Sequence, residues 1–117
     1  MGTSSTGEVA RAYFEAWSSR QGPDEVGAFL ADDFVFTAGP MRIEGRDAFL
    51  AAGQWPDNAE TVLLADAYEG DQGFQLYEAT NGGKNIRIAE HLRLRGGRIV
   101  ASEVIADSAA FGAFMAG

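Results

Sequence analysis

The stretch Lys84-Asn85-Ile86-Arg87-Ile88-Ala89-Glu90-His91-Leu92-Arg93-Leu94-Arg95, then Gly96-Gly97, then Arg98-Ile99-Val100-Ala101-Ser102-Glu103-Val104-Ile105-Ala106-Asp107, decides the fold. Side chains of a β-strand point alternately to its two faces. Ile86, Ile88, Leu92 and Leu94 fall on one face, and Arg87, His91, Arg93 and Arg95 on the other. Gly96-Gly97 supplies the positive φ angles of a two-residue hairpin, so the stretch reads as two long strands and a tight turn. Glu90 breaks the pattern, standing on the apolar face between Ile88 and Leu92. A carboxylate there is costly unless it is hydrogen-bonded, neutralised or beside a wet cavity. Three readings are open: a pocket acid with a raised pKa, a buried structural acid bonded to a Tyr or Trp, or an exposed side chain on the opposite face.

At 117 residues the chain has room for one domain, spanning residues 1–117, with a core of its own. Nine basic and 17 acidic residues give a net charge of −8, which argues against nucleic acid or an anionic membrane as the main partner. There is no cysteine, hence no disulfide framework and no thiol chemistry, as suits a cytoplasmic protein. No apolar run approaches the roughly 18 residues of a membrane span, and no signal peptide is visible.

Outward from the hairpin, Ser5-Thr6-Gly7-Glu8 reads as a capping box. Ala10, Tyr13, Phe14 and Trp17 then follow the spacing of one helix face. Gln21-Gly22-Pro23 stops this helix. Asp24 is expected to cap a short second helix with Val26, Phe29 and Leu30 inward, ended by Ala31-Asp32-Asp33. Phe34 to Thr37 reads as a short strand, Arg42 to Glu44 as a minor one, and Gly45-Arg46-Asp47 as the start of a third helix. Gly53 to Asn58 reads as a loop. Glu60–Tyr68 and Gly73–Thr80 are further strands, the second joined to the hairpin by the turn Asn81-Gly82-Gly83. Asp107 can cap a last helix, Ser108 to Met115. Helices first and an antiparallel meander after them predict an α+β domain whose curved antiparallel sheet wraps helices.

The common catalytic motifs are absent: no Gly-rich phosphate loop, no GxSxG, no kinase signature. His91 is the only histidine, so a two-His metal site within one chain is excluded, and neither a metal nor a cofactor is expected. Asp32-Asp33 fits turn chemistry better than a catalytic pair.

Four segments together carry a family likeness. They are Val9-Ala10-Arg11-Ala12-Tyr13, Phe29-Leu30-Ala31-Asp32-Asp33-Phe34-Val35-Phe36, Ile43-Glu44-Gly45-Arg46-Asp47-Ala48-Phe49, and Glu90 through Val100. Nearly the whole chain resembles the NTF2-like superfamily, and within it the SnoaL-like group, a cousin of ketosteroid isomerase. The resemblance implies a cone, a curved sheet around three helices with an internal apolar pocket. It also implies a homodimer through the outer sheet face, with His91 and Arg93 at or near the interface and Glu103 opposite them. By the same resemblance Tyr13 takes the place of the tyrosine that donates to a developing oxyanion. Glu90 takes that of the acid kept protonated beside it, where the isomerase has a shorter Asp. Trp17, Phe36, Leu92 and Ser102 are expected to line the pocket. The isomerase general base has no counterpart, because Ala38 stands five residues after Asp33. Asp66 and Asp107 are carboxylates without a motif match, and Arg87 lies on the strand face opposite Glu90, so the Asp-Arg-Asp pattern of related epoxide hydrolases is not evident. Two functions follow as expectations: acid–base catalysis on a small apolar molecule through a Tyr/Glu oxyanion hole, or a non-catalytic dimeric binding or accessory module.

Overall fold

The structure is a computed structural model that describes residues 5–52, 56 and 59–116. Helix α1 (Thr6–Ser18) opens with the expected capping box: Ser5 Oγ accepts from the Glu8 backbone N–H, and Glu8 returns a bond to the Ser5 N–H. Its inward residues include Val9, Ala10, Tyr13, Phe14 and Ala16. After it come α2 (Pro23–Gly27), β1 (Leu30–Ala38), β2 (Met41–Glu44) and α3 (Arg46–Ala52). The second half of the described chain is β3 (Glu60–Glu69), β4 (Gln72–Asn81), β5 (Lys84–Arg95), β6 (Arg98–Ile105) and α4 (Ser108–Met115).

The six strands form one curved, unclosed sheet in the order β2-β1-β6-β5-β4-β3. The α+β cone is the architecture expected, and β3 to β6 form the expected antiparallel meander. Gly96 and Gly97, with φ of 60° and 80°, make the β5–β6 turn. Three features differ from the sequence expectation. Leu30 to Asp33 belong to β1 and not to the end of a helix, because Leu30 pairs with Ile99 and the Ile99 N–H bonds to the Phe29 carbonyl. Strand β1 also lies parallel to β6, an end-to-end pairing in sequence that no local pattern announces. The opening of α2 belongs to Pro23 in the first turn, after the Gly22 N-cap, and not to an Asp24 cap. The stretch Gly53–Asn58, read as a loop, lies outside the described residues except for Pro56.

Burial along β5 alternates as the sequence implies: Ile86, Ile88, Glu90, Leu92 and Leu94 are buried. Two clusters fill the concave side. Tyr13, Leu30, Phe34, Leu92 and Ile99 belong to one; Phe14, Tyr77, Ile88, Val104 and Phe114 belong to the other. Helix α4 is held at the second by its Asp107 cap and by Lys84 Nζ and Asn81 Nδ2, which donate to the Ala113 and Phe114 carbonyls at 3.1 and 3.2 Å.

One close approach sets how deeply α1 seats. Tyr68 of β3 lies between Gly7 of α1 and Gly73, its partner on β4. A Cβ at Gly73 would stand 2.1 Å from Tyr68 Cδ1 and 2.8 Å from the Ala67 carbonyl, and the carbonyl cannot move aside. An aromatic ring thus covers a strand glycine. The Gly73→Ala variant is expected to lose about 1–3 kcal/mol by overpacking, read as a lower urea midpoint with an unchanged m-value.

Candidate functional site

Between the concave face, α1, α3 and α4 lies a cavity of about 600 Å³, within the usual range for small-molecule sites of about 300–1,000 Å³. Its walls are mostly apolar, with Phe36, Ile43, Phe49, Leu50, Phe111 and Met115 among them. Phe49 is braced edge-on by Phe34 at 5.0 Å and packs at a tilt on Phe36 at 5.1 Å.

Glu90 lines this cavity and is 3% exposed. Strand alternation puts it there, between Gln75 of β4 and Val104 of β6. Tyr77 Oη donates to Glu90 Oε1 at 3.0 Å, and Ser102 Oγ makes a short bond to Oε2. No ion pair to Glu90 occurs among the described residues. Two neutral hydroxyl donors contribute about 1 kcal/mol each, whereas an unpaired buried charge costs several kcal/mol. Desolvation wins, and burial raises the Glu90 pKa above the ordinary value although both hydroxyls lower it.

Tyr13 and Tyr77 share the cavity floor. Burial pushes both phenols well up, and the negative charge of Glu90 pushes them further. Both remain O–H donors throughout the physiological range. Tyr77 is fixed by an aromatic triangle, with Trp17 at 5.2 Å, Phe14 at 5.5 Å, and those two rings 5.1 Å apart. This geometry can present hydroxyl donors and a neutral carboxyl to an oxygen atom of a bound molecule, inside a largely apolar space where such dipoles are strong.

The sequence-predicted residues divide. Tyr13, Trp17, Phe36 and Glu90 line the cavity together. Leu92 and Ser102 do not. Leu92 is fully buried in the cluster with Leu30 and Ile99, and Ser102 is covered by the Glu90 carboxyl that it bonds. No hydrogen bond joins Tyr13 to Glu90 among the described residues; the tyrosine that bonds Glu90, beside Ser102, is Tyr77, which sequence reasoning passed over. The signal for Tyr77 was present. Register from the Asn81-Gly82-Gly83 turn sets Tyr77 opposite Ile88, one inward step from Glu90. Arg20, at the rim, was missed too. Asp66 lies away from the cavity, bonded to Arg11 at 2.7 Å and to Tyr68 at 2.9 Å. Asp107 caps α4. His91 faces the outer side, stacked on Phe74 at 4.5 Å. Among the described residues no group of three His, Cys, Asp or Glu side chains could hold a metal. No helix among them is long and apolar enough to cross a membrane.

The sequence profile of the SnoaL-like domain matches residues 10–102. No curated protein matches the chain. Similar solved structures include an NTF2-like protein of unknown function from Cytophaga hutchinsonii, 19% identical over 96% of this chain and 99% of that one, with a TM-score of 0.79. A candidate ketosteroid isomerase from Kribbella flavida is 21% identical over 88% and 78% of the two chains, TM-score 0.82. A candidate SnoaL-like polyketide cyclase from Jannaschia is 16% identical over 96% and 92%, TM-score 0.79. At these identities the likeness is one of fold.

The raised Glu90 pKa has a definite sign for stability. Between the unfolded value, near 4.5, and the higher folded value, the folded state binds more protons than the unfolded state. The Glu90 contribution is therefore full below 4.5 and is lost as pH rises through the folded pKa. Glu90→Gln removes this loss. The Tm of the variant is expected to gain on the wild type steadily as pH rises from about 4.5, in scanning calorimetry of both proteins across the same buffers.

Proposed function

The chain belongs to the SnoaL-like domain family, and on that footing we propose that it binds a small, largely apolar molecule in the cavity and polarises an oxygen of that molecule through Tyr13 and neutral Glu90. The observation that carries this is the position of Glu90: a carboxyl at the floor of an apolar cavity, held by two hydroxyls and paired with no cation among the described residues. When neutral, it can keep the bonds from Tyr77 and Ser102 and still direct its own O–H into the cavity. Tyr13 supplies a second donor. A carbonyl or epoxide oxygen seated between them would be stabilised as negative charge develops on it. Ala38 leaves the isomerase base position without a proton acceptor. The reaction that suits this site is one whose substrate is itself readily deprotonated or carries its own nucleophile, as in an intramolecular ring closure. The same missing base favours a second reading, a binding module with no turnover.

Binding of 2-acetylnaphthalene, a ketone with no ionisable group, tests the donor role. Its affinity is expected to fall as pH rises and Glu90 ionises. Glu90→Gln should bind with no such pH dependence, and Tyr13→Phe should bind about 5- to 10-fold more weakly, the worth of one hydrogen bond. Affinity independent of pH in the wild type would refute the role of Glu90. Exchange of the ketone's methyl protons for deuterium, followed by NMR, separates catalysis from binding alone.

We also propose a homodimer through the outer face of the sheet. Phe74 and Leu76 of β4 and Ile105 of β6, the two strands that flank β5, are 49%, 36% and 51% exposed. Such a patch on one sheet face suits an interface. His91 lies within it, its Nδ1 3.9 Å from Glu103 and its Nε2 2.9 Å from Gln72 Oε1. Light scattering should give twice the 12.5 kDa of one chain. Phe74→Asp should return the particle to 12.5 kDa without loss of fold. With its cysteine-free composition the protein fits a reducing cytoplasm, where we place it.

A further inference from the structure

Arg20 occupies an unusual backbone position. Helix α1 ends in a Schellman motif: the Gln21 N–H bonds the Ala16 carbonyl at 3.0 Å and the Arg20 N–H bonds the Trp17 carbonyl at 3.3 Å. Arg20 is the left-handed residue of that motif, with φ of 57°, and no other non-glycine among the described residues has a positive φ. Glycine or asparagine normally stands there, because a Cβ costs about 1 kcal/mol or more in this conformation. The side chain that brings this cost crosses to the residue just before β3, where Nη1 donates to the Ala59 carbonyl at 3.0 Å. That bond stretches the guanidinium along the cavity rim, which Arg20 lines with Pro23, Val26 and Trp17.

The charges of the cavity are sorted by depth. Among the described residues lining it, Arg20 is the sole cation and Glu90 the sole acid. Arg20 has no carboxylate partner among the described residues. By contrast Arg11, Arg46 and Arg95 each pair with an aspartate. Nor does Arg20 figure among the groups that set the proton affinity of Glu90, whose charge is governed by burial and two hydroxyls. The rim therefore offers a planar cation with spare N–H donors, the walls are apolar, and the floor carries the Tyr13 hydroxyl and the Glu90 carboxyl. A guanidinium fork matches a carboxylate in shape and charge.

We propose that the ligand of this cavity is an amphipathic carboxylate, its acid head on Arg20 at the rim and its apolar body running inward toward Tyr13 and Glu90. This rests on the cavity being a ligand site, as proposed above, and adds the chemical class and the direction of entry. It also accounts for Arg20 at a position where glycine would be easier to accommodate.

Decanoate and 1-decanol differ only in the head group, and calorimetric titration of both at pH 8 tests the assignment. The wild type is expected to bind decanoate about tenfold or more tightly than decanol, the worth of a charge-assisted hydrogen bond. Arg20→Gly suits the left-handed backbone, so the variant should fold. It should bring the two affinities to within about twofold. Arg20→Lys, which keeps the charge and loses the fork, should retain part of the preference. Equal affinities in the wild type, a preference that survives in Arg20→Gly, or binding of neither compound would overturn the proposal. Binding of both compounds without any carboxylate preference overturns this proposal and leaves the cavity as a ligand site. The role of Glu90 is judged separately by the ketone titration.

Discussion

A carboxyl group buried against apolar walls, with hydroxyls as its only partners among the described residues, organises the interior of this domain. Its burial would be prohibitive for a bare carboxylate. It is tolerable here because Tyr77 and Ser102 satisfy both oxygens and because the group can take up a proton. Those partners come from β4 and β6, the two neighbours of β5, so the register of both strand pairs must be correct for the acid to be accommodated. A one-residue slip in either would turn the hydroxyl outward and leave the carboxyl unbonded.

The aromatic residues act on that same acid at one remove. Phe14 and Trp17 of α1 fix Tyr77 from the helix side, so the seating of α1 decides where the Tyr77 hydroxyl points. That seating depends in turn on Tyr68 lying between Gly7 and Gly73. Tyr68 also accepts from Gln75 Nε2, which bonds the Ala10 carbonyl as well, tying β4 to the middle of α1. Two glycines remote from the cavity thus control the geometry of its floor, through contact and not through any chemistry of their own.

The rim follows a different logic from the floor. There the groups are exposed, their charges are screened, and ordinary surface ion pairs add little. What distinguishes Arg20 is the backbone that carries it and the carbonyl that holds it, both of which restrict where its charge can be. A cation at the rim and donors at the floor give the cavity a direction, and that direction is a stronger clue to ligand class than cavity size.

The alternation of β5, the Gly96-Gly97 turn and the capping box of α1 are local patterns. Each is set by covalent geometry and side-chain size within a few residues, so the meander, the first helix and the inward facing of Glu90 were legible in the sequence. The likeness of four short segments to a known family extended this to the cone and to Tyr13. Tertiary structure alone decided the rest. The parallel pairing of β1 with β6 joins segments about 70 residues apart, and it recruited Leu30 to Asp33 into a strand that local preference assigned to a helix end. The choice of Tyr77 over Tyr13 as the partner of Glu90, and the withdrawal of Leu92 and Ser102 behind the cavity wall, depend on which neighbour reaches each side chain first. The role of Arg20 at the rim depends on a carbonyl 39 residues away. Alternation tells which face a residue takes; only packing between distant segments tells what it meets there.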